Sequence, residues 1–458
     1  MPAASSLSDA DAVVVGAGPA GALLALLLAR QDVRVTLLEK HTDFDRAFRG
    51  NTLNPATLRL LDRLGLLDAV RRLPHVSTTH FTAVAPDGQG DPTALRFADF
   101  AEWAAHAGSP YGEVVMTPQR DFLPLVLDAA AQYDGFTLVT GADVQGLIRD
   151  ENAADGAIRG VRYERNGAMH EVRAPLTVAC DGRHSRVRTM AGLTVDRRPA
   201  PIDVLWFHLP KRASDVDAGV GDADAGADDP AGAYFRFGPG TMVALMDAGE
   251  RWQVGLILAK DALPDLKAQG LDAFRARIAA TVPDVADRLD TLRSWDETAL
   301  LSIETGRLRR WHCPGLLCIG DAAHAMSPVG MVGINLAIQD AEATAALVGP
   351  TLRSGPVTDA DLAALLSSVQ RKRQGPIRLA QTVQDLVHRL VIRPALRGPD
   401  AYRFPAPVRA LLTWGPFRRR ATHLIAEGRW GRARSADLPP SAMPASETTA
   451  PEPAPVGR

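Results

Sequence analysis

Short apolar runs alternate with longer helical segments through the first 180 residues of the chain. Four runs have the length and composition of buried strands: 12–15, 33–38, 137–140 and 176–179. Three longer segments have helical periodicity: 20–30, 55–64 and 121–133. Because strands that alternate with helices form βαβ units, this part of the chain predicts an α/β layer around a parallel sheet.

The pattern changes between residues 204 and 258. Strand-like runs rich in aromatic and β-branched residues follow one another there, which predicts a second, mostly antiparallel sheet. An amphipathic helix is predicted next, at 271–281. Two other segments have too few large apolar residues to form a packed core. The aspartate-rich segment 215–232 is predicted to be a solvated loop, and the segment 435–458 is predicted to be a disordered tail.

The first apolar run leads directly into a glycine-rich loop with G-x-G-x-x-G spacing. Between a strand and a helix this spacing is typical of a dinucleotide site, because the glycines permit the tight turn, the approach of phosphates to the backbone, and close packing of helix on strand. An acidic residue after the second strand, Glu39, can accept hydrogen bonds from the adenosine ribose. The predicted contacts are Gly16, Gly18, Pro19, Ala20, Gly21, Glu39 and Lys40. The loop alone leaves NAD and FAD open.

Two further motifs favour FAD. The segment 176–188, LTVACDGRHSRVR, is a strand that ends in Asp181-Gly182, and the segment 315–348 contains a strand that ends in Gly320-Asp321 before a loop and a long helix. Together with the glycine loop they resemble the ordered motifs of the FAD-dependent group A monooxygenases, the family of p-hydroxybenzoate hydroxylase. The resemblance extends from residue 11 to about 346 and implies a Rossmann-like FAD-binding domain, an antiparallel substrate domain and a C-terminal helical layer.

The resemblance predicts a domain division. The predicted parts are a discontinuous FAD-binding domain at 1–75, 112–190 and 300–350, a substrate domain at 76–111 and 191–299, a C-terminal helical region at 351–434, and the tail at 435–458.

The resemblance also assigns cofactor residues. Asp321 is placed to accept a hydrogen bond from a ribityl hydroxyl, while the following loop brings backbone close to the isoalloxazine ring and the helix near Asn335 directs its N–H groups at the flavin pyrimidine. Asp181 acts toward both FAD and NAD(P)H, with a positive field from Arg183, His184 and Arg186. The remaining implied contacts are Arg49, Gln119 (or Arg120), Pro328, Gly330, Gly333 and Ile334. One departure is Met331, where many members have glycine.

The implied reaction is an NAD(P)H- and O2-dependent monooxygenation. NADH or NADPH reduces FAD, O2 forms a flavin C4a-hydroperoxide, and one oxygen atom is delivered to an apolar aromatic or quinone-like molecule by hydroxylation or epoxidation. The residues expected to wall the substrate pocket are Trp206, Phe235, Phe237 and Met246. No general base is identifiable, and a lone strand histidine such as His208 is more often structural.

Three other functions are compatible with these motifs. A flavin-dependent halogenase would carry a W-x-W-x-I-P segment, which the chain lacks. A flavin reductase acting on prenyl-type substrates would consume no O2. A non-catalytic FAD-binding sensor or interaction protein would hold FAD that NADH and NADPH fail to bleach.

Composition and charge refine this interpretation. The three cysteines, Cys180, Cys313 and Cys318, exclude a disulfide framework, and we find no metal-ligand cluster among the 11 histidines. No apolar run approaches the length of a membrane span and the first residues have no basic signal region, so a cytoplasmic protein is expected. The oligomeric state is left open.

The segment 371–434 is strongly basic, with 15 Lys and Arg against three acidic residues. One interpretation is a helical layer whose cations complement the acidic remainder of the chain and whose apolar stripe covers the core. The other is a weak contact with an anionic membrane surface. Nucleic acid is not an expected partner, because no reader motif accompanies the basic residues.

Overall fold

The computed structural model describes residues 10–44, 50–86, 92–151, 156–212, 233–398, 400 and 402–428. Arg49, the predicted loop 215–232 and the predicted tail 435–458 lie outside these residues. The strands are β1 (Ala12–Val15), β2 (Val35–Glu39), β3 (Gly50–Leu53), β4 (Val76–Thr78), β5 (His80–Pro86), β6 (Pro92–Asp99), β7 (Val114–Pro118), β8 (Phe136–Thr140), β9 (Asp143–Arg149), β10 (Ile158–Arg165), β11 (Ala168–Arg173), β12 (Leu176–Ala179), β13 (Val195–Arg198), β14 (Ile202–Pro210), β15 (Ala233–Gly238), β16 (Thr241–Asp247), β17 (Arg251–Ala259), β18 (Ala299–Ser302), β19 (Thr305–Leu308), β20 (His312–Cys313) and β21 (Leu316–Cys318).

The α-helices are α1 (Pro19–Ala29), α2 (Pro55–Arg63), α3 (Leu67–Arg72), α4 (Phe100–Ala107), α5 (Gln119–Ala130), α6 (Arg186–Met190), α7 (Leu263–Ala268), α8 (Leu271–Thr281), α9 (Asp321–His324), α10 (Gly333–Arg353), α11 (Asp359–Val387), α12 (Arg393–Arg397), α13 (Ala406–Thr413) and α14 (Gly415–Glu427). Short 3-10 helices lie at Pro283–Thr291, Trp295–Glu297 and Val329–Met331, and a π-helical turn at His388–Ile392. None of the described helices combines the length and apolar composition needed to cross a bilayer.

The predicted parallel sheet is confirmed. Six strands lie in the order β20-β21-β12-β1-β2-β8, and all neighbours are parallel except the edge pair β20 and β21. The helix α1, apolar on every side, is buried from Ala20 to Ala29 and packs against α5 and α10. A helix without a polar face is stable only in such a buried position, so its sequence requires this sandwich.

The predicted second sheet is also confirmed. Seven strands lie in the order β18-β14-β17-β16-β15-β5-β6, antiparallel except for the pair β15 and β5. One face packs on α8 and the 3-10 helix that follows it, through a core that includes Phe207 and Phe274. The opposite face, which includes Trp206 and Phe235, contacts the C-terminal helices and Val329. The two faces alternate along each strand, as the pleat requires.

Element boundaries differ from the predictions by a few residues. The second strand begins at Val35 instead of 33, because Asp32 occupies a left-handed turn (φ 59°) and the Val33 N–H donates to Leu28. The predicted helix 121–133 runs over Gln119–Ala130. β18, at 299–302, pairs in the second sheet although the predicted boundary falls at 300, so the domain division stays a prediction.

Candidate functional site

The glycine-rich loop closes around the carboxyl end of β1. Gly16 has φ 99°, and a Cβ there would lie 2.6 Å from the Cys180 carbonyl oxygen; a Cβ at Gly21 would lie 1.9 Å from the Gly16 carbonyl oxygen. These two glycines are therefore required by the fold itself. Gly18 is different, because a Cβ there would meet nothing within 4 Å. The backbone at Gly18 thus presents an open surface that suits close approach of a phosphate.

The same loop begins α1 without a side-chain cap. Gly18 is the N-cap, Pro19 is the first helical residue, and no side chain in the described part of the chain caps the first turn. Uncapped N–H groups carry the positive end of the helix dipole and attract anions. This terminus fits a pyrophosphate, and Pro19 and Ala20 line it as predicted contacts.

Glu39 is buried at the end of β2 and braces the loop. Its carboxylate accepts from the Ala17 N–H at 2.8 Å and from the His41 N–H at 3.1 Å. An ionised carboxylate offers about four acceptor positions, so these two bonds are compatible with the predicted contact to a ribose. Lys40 beside it is exposed.

Asp181 lies at the end of β12 with one carboxylate oxygen committed. Oδ2 accepts from the Val187 N–H at 3.1 Å, whereas Oδ1 is buried and has no hydrogen-bond partner among the described residues. Burial raises the pKa of this carboxyl, against hydrogen bonds from Ser185 and the Val187 backbone that lower it. A buried acceptor without a donor is costly, and a cofactor hydroxyl would satisfy it.

The charged residues that the resemblance places around Asp181 lie at or near the surface. Arg186 binds Asp143 at the surface (3.0 Å), and His184 is exposed. Arg183 donates to the Ser302 carbonyl oxygen at 3.1 Å. Cys180, whose thiol pKa is raised by burial, is a small packing residue there.

Arg188, which sequence reasoning missed, is buried and joins the two later motifs. Its guanidinium donates to the Ala322 carbonyl oxygen (2.8 Å) and to the Arg183 carbonyl oxygen (2.9 Å). Buried arginine is rare unless all its donors are used. Arg188 therefore fixes the position of the Asp181 segment relative to the Asp321 segment.

The segment that contains Gly320 and Asp321 follows β21. Gly320 has φ 59°, and a Cβ there would lie 3.2 Å from the Ala337 Cβ and 3.5 Å from the Ala20 Cβ, so this turn is wedged between α10 and α1. Asp321 begins α9 and is half-buried. Among the described residues no hydrogen bond or ion pair occupies its carboxylate, which is therefore available for the predicted ribityl contact.

A buried charge network lies directly behind this turn and was not predicted. Asp340 accepts from the Gly320 N–H (3.1 Å), from His324 Nε2 (2.5 Å) and from Arg373 Nε (2.7 Å). Burial alone would raise the pKa of the Asp340 carboxyl, but His324 and Arg373 outweigh it and hold that pKa below its usual value. The network holds the Gly320-Asp321 turn on the long helix α10.

The loop after the Gly320-Asp321 turn is held by a side chain of α11. Gln384 Nε2 donates to the carbonyl oxygens of Ser327 (2.8 Å) and Val329 (2.9 Å). Pro328 caps a 3-10 turn in which Gly330 has φ 78° and Met331 has φ 54°. Because a left-handed φ favours glycine, the backbone explains the glycine usual at position 331, and Met331 is a local departure that other contacts must maintain.

The Met331 side chain is half-buried and points to the second sheet. Its sulfur lies 3.7 Å from the Thr52 hydroxyl, and it packs on the cluster that includes Phe81 and Trp103. It therefore narrows the space between this loop and the sheet.

Asn335 positions this loop from the first turn of α10, which begins at Gly333, close to the predicted start near 335. Its amide oxygen accepts from the Asn54 N–H (3.0 Å) and the Thr57 hydroxyl (2.7 Å), and its NH2 donates to the carbonyl oxygens of Thr52 (2.7 Å) and Met331 (3.2 Å). Since the buried amide is saturated by protein groups, we assign Asn335 a positioning role. Gly333 and Ile334 are half-buried beside it.

The last helix is fastened to the same region. Asn54 Nδ2 donates to the Ile425 carbonyl oxygen (2.8 Å), and Gln339 Nε2 donates to the Glu427 carbonyl oxygen (3.0 Å). The Glu427 carboxylate also forms a bidentate pair with Arg59, at 2.9 and 2.7 Å. Helix α14, which also packs against β6 of the second sheet, is thus tied to α2 and α10.

Gln119 and Arg120 lie at the start of α5. Gln119 is half-buried and follows Pro118, which pairs with Gly50 across β7 and β3. Arg120 is exposed, which favours Gln119 as the inward residue of the two.

The predicted substrate-side residues share one face of the second sheet. Trp206, Phe235 and Met246 are half-buried there, and Phe235 contacts Phe97 with ring centroids 5.9 Å apart. Phe237 is buried instead by Tyr402 and Phe404 (centroids 5.6 and 5.3 Å), which makes it a packing residue. His208, on the same strand as Trp206, has its pKa lowered by burial and by nearby Arg251 and Arg120, so its imidazole is neutral near pH 7.

The comparisons with known proteins agree with this geometry. Residues 9–356 match the family described as FAD binding domain. The chain is 34% identical to 6-methylpretetramide 4-monooxygenase of Streptomyces rimosus over 384 residues, which is 83% of this chain and 84% of that protein.

Two solved structures have the same fold. PqsL of Pseudomonas aeruginosa, a probable FAD-dependent monooxygenase, superimposes with a TM-score of 0.68 at 22% identity and covers 86% of this chain and 99% of its own. Aklavinone-11 hydroxylase, in complex with FAD and aklavinone, superimposes with a TM-score of 0.65 at 20% identity. The match covers 89% of this chain and 73% of the hydroxylase. The match to the FAD-binding family over most of the chain and the identity to a named monooxygenase place this protein among the FAD-dependent monooxygenases of group A.

Proposed function

We propose that this enzyme hydroxylates an apolar, polycyclic aromatic or quinone-like small molecule with O2 and NADH or NADPH. The observation that carries the proposal is that an apolar face of the second sheet lies across from the loop that follows the Gly320-Asp321 turn. The apolar sheet face with Phe235 and Met246 lies opposite the loop that Gln384 holds in place. The S. rimosus relative supports a substrate of the 6-methylpretetramide kind.

The residues of the site fit FAD. The open backbone at Gly18, the uncapped first turn of α1 and the unpartnered Asp181 Oδ1 follow one another along the edge of the parallel sheet. Bound there, FAD supplies the transfer of electrons from NAD(P)H to O2 and of one oxygen atom to the substrate. The chain itself has to bind the cofactor and the substrate, orient them, and shield them from water.

The first turn of α10 contributes the electrostatics of the flavin end. This helix of 21 residues has Val332 at its N-cap and no side-chain cap. A helix N-terminus stabilises nearby negative charge by about 0.3–1 kcal/mol, and by up to about 2 kcal/mol in partly buried geometry. A flavin ring bound at this terminus would therefore be favoured in its reduced, negatively charged form over the neutral one.

The second sheet shapes the substrate pocket and excludes water from it. Trp206, Phe235 and Met246 present apolar surface on one face, and Met331 narrows the gap from the loop side. Excluding water protects reactive oxygen chemistry from side reactions. No described side chain is assigned as a general base.

The test begins with the purified full-length protein. We expect a yellow FAD spectrum, bleaching by NADH or NADPH that an aromatic substrate library accelerates, and one labelled oxygen atom from 18O2 in the product. Absence of FAD after reconstitution, or label derived only from water, would overturn the proposal. Halide-dependent product would indicate a halogenase, and turnover without O2 uptake a reductase.

A matched pair of variants tests the substrate face. Phe235→Leu should raise KM for the substrate with little effect on FAD content, because it alters the face opposite the loop. Phe207→Leu lies on the other face of the same sheet, buried against Phe274 (5.4 Å), and should lower stability without changing KM. Equal KM effects from both variants would contradict the assigned face.

A further inference from the structure

The outer face of the last long helical segment carries an exposed mixture of leucine and arginine. Helix α11, the π-helical turn His388–Ile392 and α12 follow one another without a break. Leu386 and Leu390 are each 54% exposed, and Arg389, Arg393 and Arg397 are exposed as well. We call these five residues the outer face. Their spacing of three or four residues places them on one side of a helix.

The opposite side of this segment already completes the core. Ile392 and Ala395 are buried against the second sheet, with Val387 and Val391 packed beside them. The two leucines of the outer face are therefore not needed to cover the interior. Exposed large apolar side chains grouped on one helix face indicate an interaction surface.

The three arginines surround a common recess. Together with Pro394 they line a surface depression of about 270 Å³. Two other arginines of this layer are engaged in ion pairs, Arg373 with Asp340 and Arg418 with Glu102. Among the residues that the structure describes, no ion pair engages Arg389, Arg393 or Arg397. Three like charges around one recess repel one another, and an anion between them removes that repulsion.

The π-helical turn lies in the middle of this face. Such turns are rare and occur frequently at functional sites. Here the turn contains Arg389 and Leu390. Its extra residue rotates the side chains that follow it about the helix axis, relative to a regular α-helix.

We propose that the outer face docks on an anionic lipid bilayer. The arginine recess takes the phosphate of a lipid head group, and Leu386 and Leu390 enter the boundary between head groups and acyl chains. Both parts of the face are used, as in interfacial amphipathic helices. A nucleic acid would leave the leucines unused, and a second copy of this chain would bring arginines against arginines. The inference is independent of the substrate proposed above, because docking requires no turnover.

The first experiment is co-sedimentation of the FAD-loaded full-length protein with vesicles. Binding is expected to phosphatidylcholine vesicles that contain phosphatidylglycerol, with affinity that falls as salt is raised, and not to pure phosphatidylcholine. Inorganic phosphate at matched ionic strength should compete weakly, because it lacks the apolar contact. Equal binding to both kinds of vesicle, or displacement by duplex DNA, would overturn the proposal.

A triple variant tests the recess. Arg389→Gln, Arg393→Gln and Arg397→Gln together should weaken partition to anionic vesicles by on the order of 100-fold, about fivefold for each charge. The matched control, Arg293→Gln with Arg309→Gln and Arg310→Gln, removes the same charge from exposed positions outside the face and should bind within about threefold of wild type. Equal losses in both triple variants would show that only net charge matters.

Two further variants separate folding from binding. The triple Arg→Lys variant keeps the charge and should retain most of the binding even if the Gln variant folds poorly. Leu386→Ser with Leu390→Ser should weaken binding while leaving its salt dependence intact, because it removes only the apolar contact. Full vesicle binding by a folded triple Gln variant, with a normal FAD spectrum, would refute the recess as the docking site.

Discussion

Replacing Asp340 with asparagine should strongly destabilise the protein and loosen its cofactor. Three donors converge on this carboxylate, from Gly320, His324 and Arg373, and the Asp340 side chain is fully buried with that of Arg373 8% exposed. An asparagine offers a single oxygen, and its NH2 would face one of the donors. Removing one partner of a buried ion pair typically costs about 3–5 kcal/mol, since the remaining charge stays buried without compensation.

The assay is guanidinium unfolding of the FAD-free protein, combined with the visible spectrum of the FAD-loaded form. We expect Asp340→Asn to lower the free energy of unfolding by about 3–5 kcal/mol at pH 7 and to reduce FAD occupancy. The control is Glu342→Gln on the same helix. Glu342 pairs with Arg63 at the surface, with side chains 21% and 31% exposed, so its loss should cost at most about 1 kcal/mol.

The pH dependence has a definite sign. The folded-state pKa of Asp340 is lowered, so its stabilisation is complete above the unfolded-state value of about 3.9 and is lost as pH falls through the lower, folded-state pKa. The difference between wild type and Asp340→Asn should therefore shrink as pH falls below about 4. A variant within about 1 kcal/mol of wild type that retains FAD would refute the role given to this network.

Other predictions concern the glycine loop and the Asp181 region. Gly16→Ala should lower the unfolding midpoint of the FAD-free protein, because Gly16 has φ 99° and an added Cβ would lie 2.6 Å from the Cys180 carbonyl oxygen. Gly18→Ala should leave that midpoint unchanged and weaken FAD binding. A stable Gly16→Ala variant and an unstable Gly18→Ala variant would contradict the assignment. Asp181→Asn should stabilise the FAD-free protein at pH 7, since a raised folded-state pKa disfavours the ionised form there, and should lower FAD affinity by titration. Arg188→Met should lower both stability and FAD occupancy, and normal FAD content in a folded variant would show that the bridge to Ala322 is dispensable.

The sequence predicted the parts that depend on local pattern. The strand at Ala12–Val15, the glycine loop and the helix at Leu271–Thr281 follow from apolar periodicity and from the conformations that only glycine adopts readily. The carboxylates Asp181 and Asp321 were found because each ends a strand next to a glycine.

The missed residues depend on contacts between distant parts of the chain. Asp340 is an unremarkable helical residue until α11 brings Arg373 to it, and Arg188 acquires its role only when β21 lies beside β12. Methionine disfavours the left-handed conformation that Met331 adopts, so this conformation was indicated only by the glycine that many family members have there. For the buried network, the available signal was the pairing of His324 and Asp340, an acid and a base within a single motif.

The fastening of the C-terminal helices has a consequence for how this enzyme can be divided. The family match ends at residue 356, yet Arg373, Gln384 and Glu427 from beyond that limit hold the Gly320-Asp321 turn, the loop that follows it and helix α10. The end of the family match is therefore not a limit of independent folding. Grafting residues 9–356 onto another C-terminal region would transfer the cofactor motifs without the parts that keep them in register. Chimaeras intended to alter specificity should therefore exchange α11–α14 together with the sheet face that they cover.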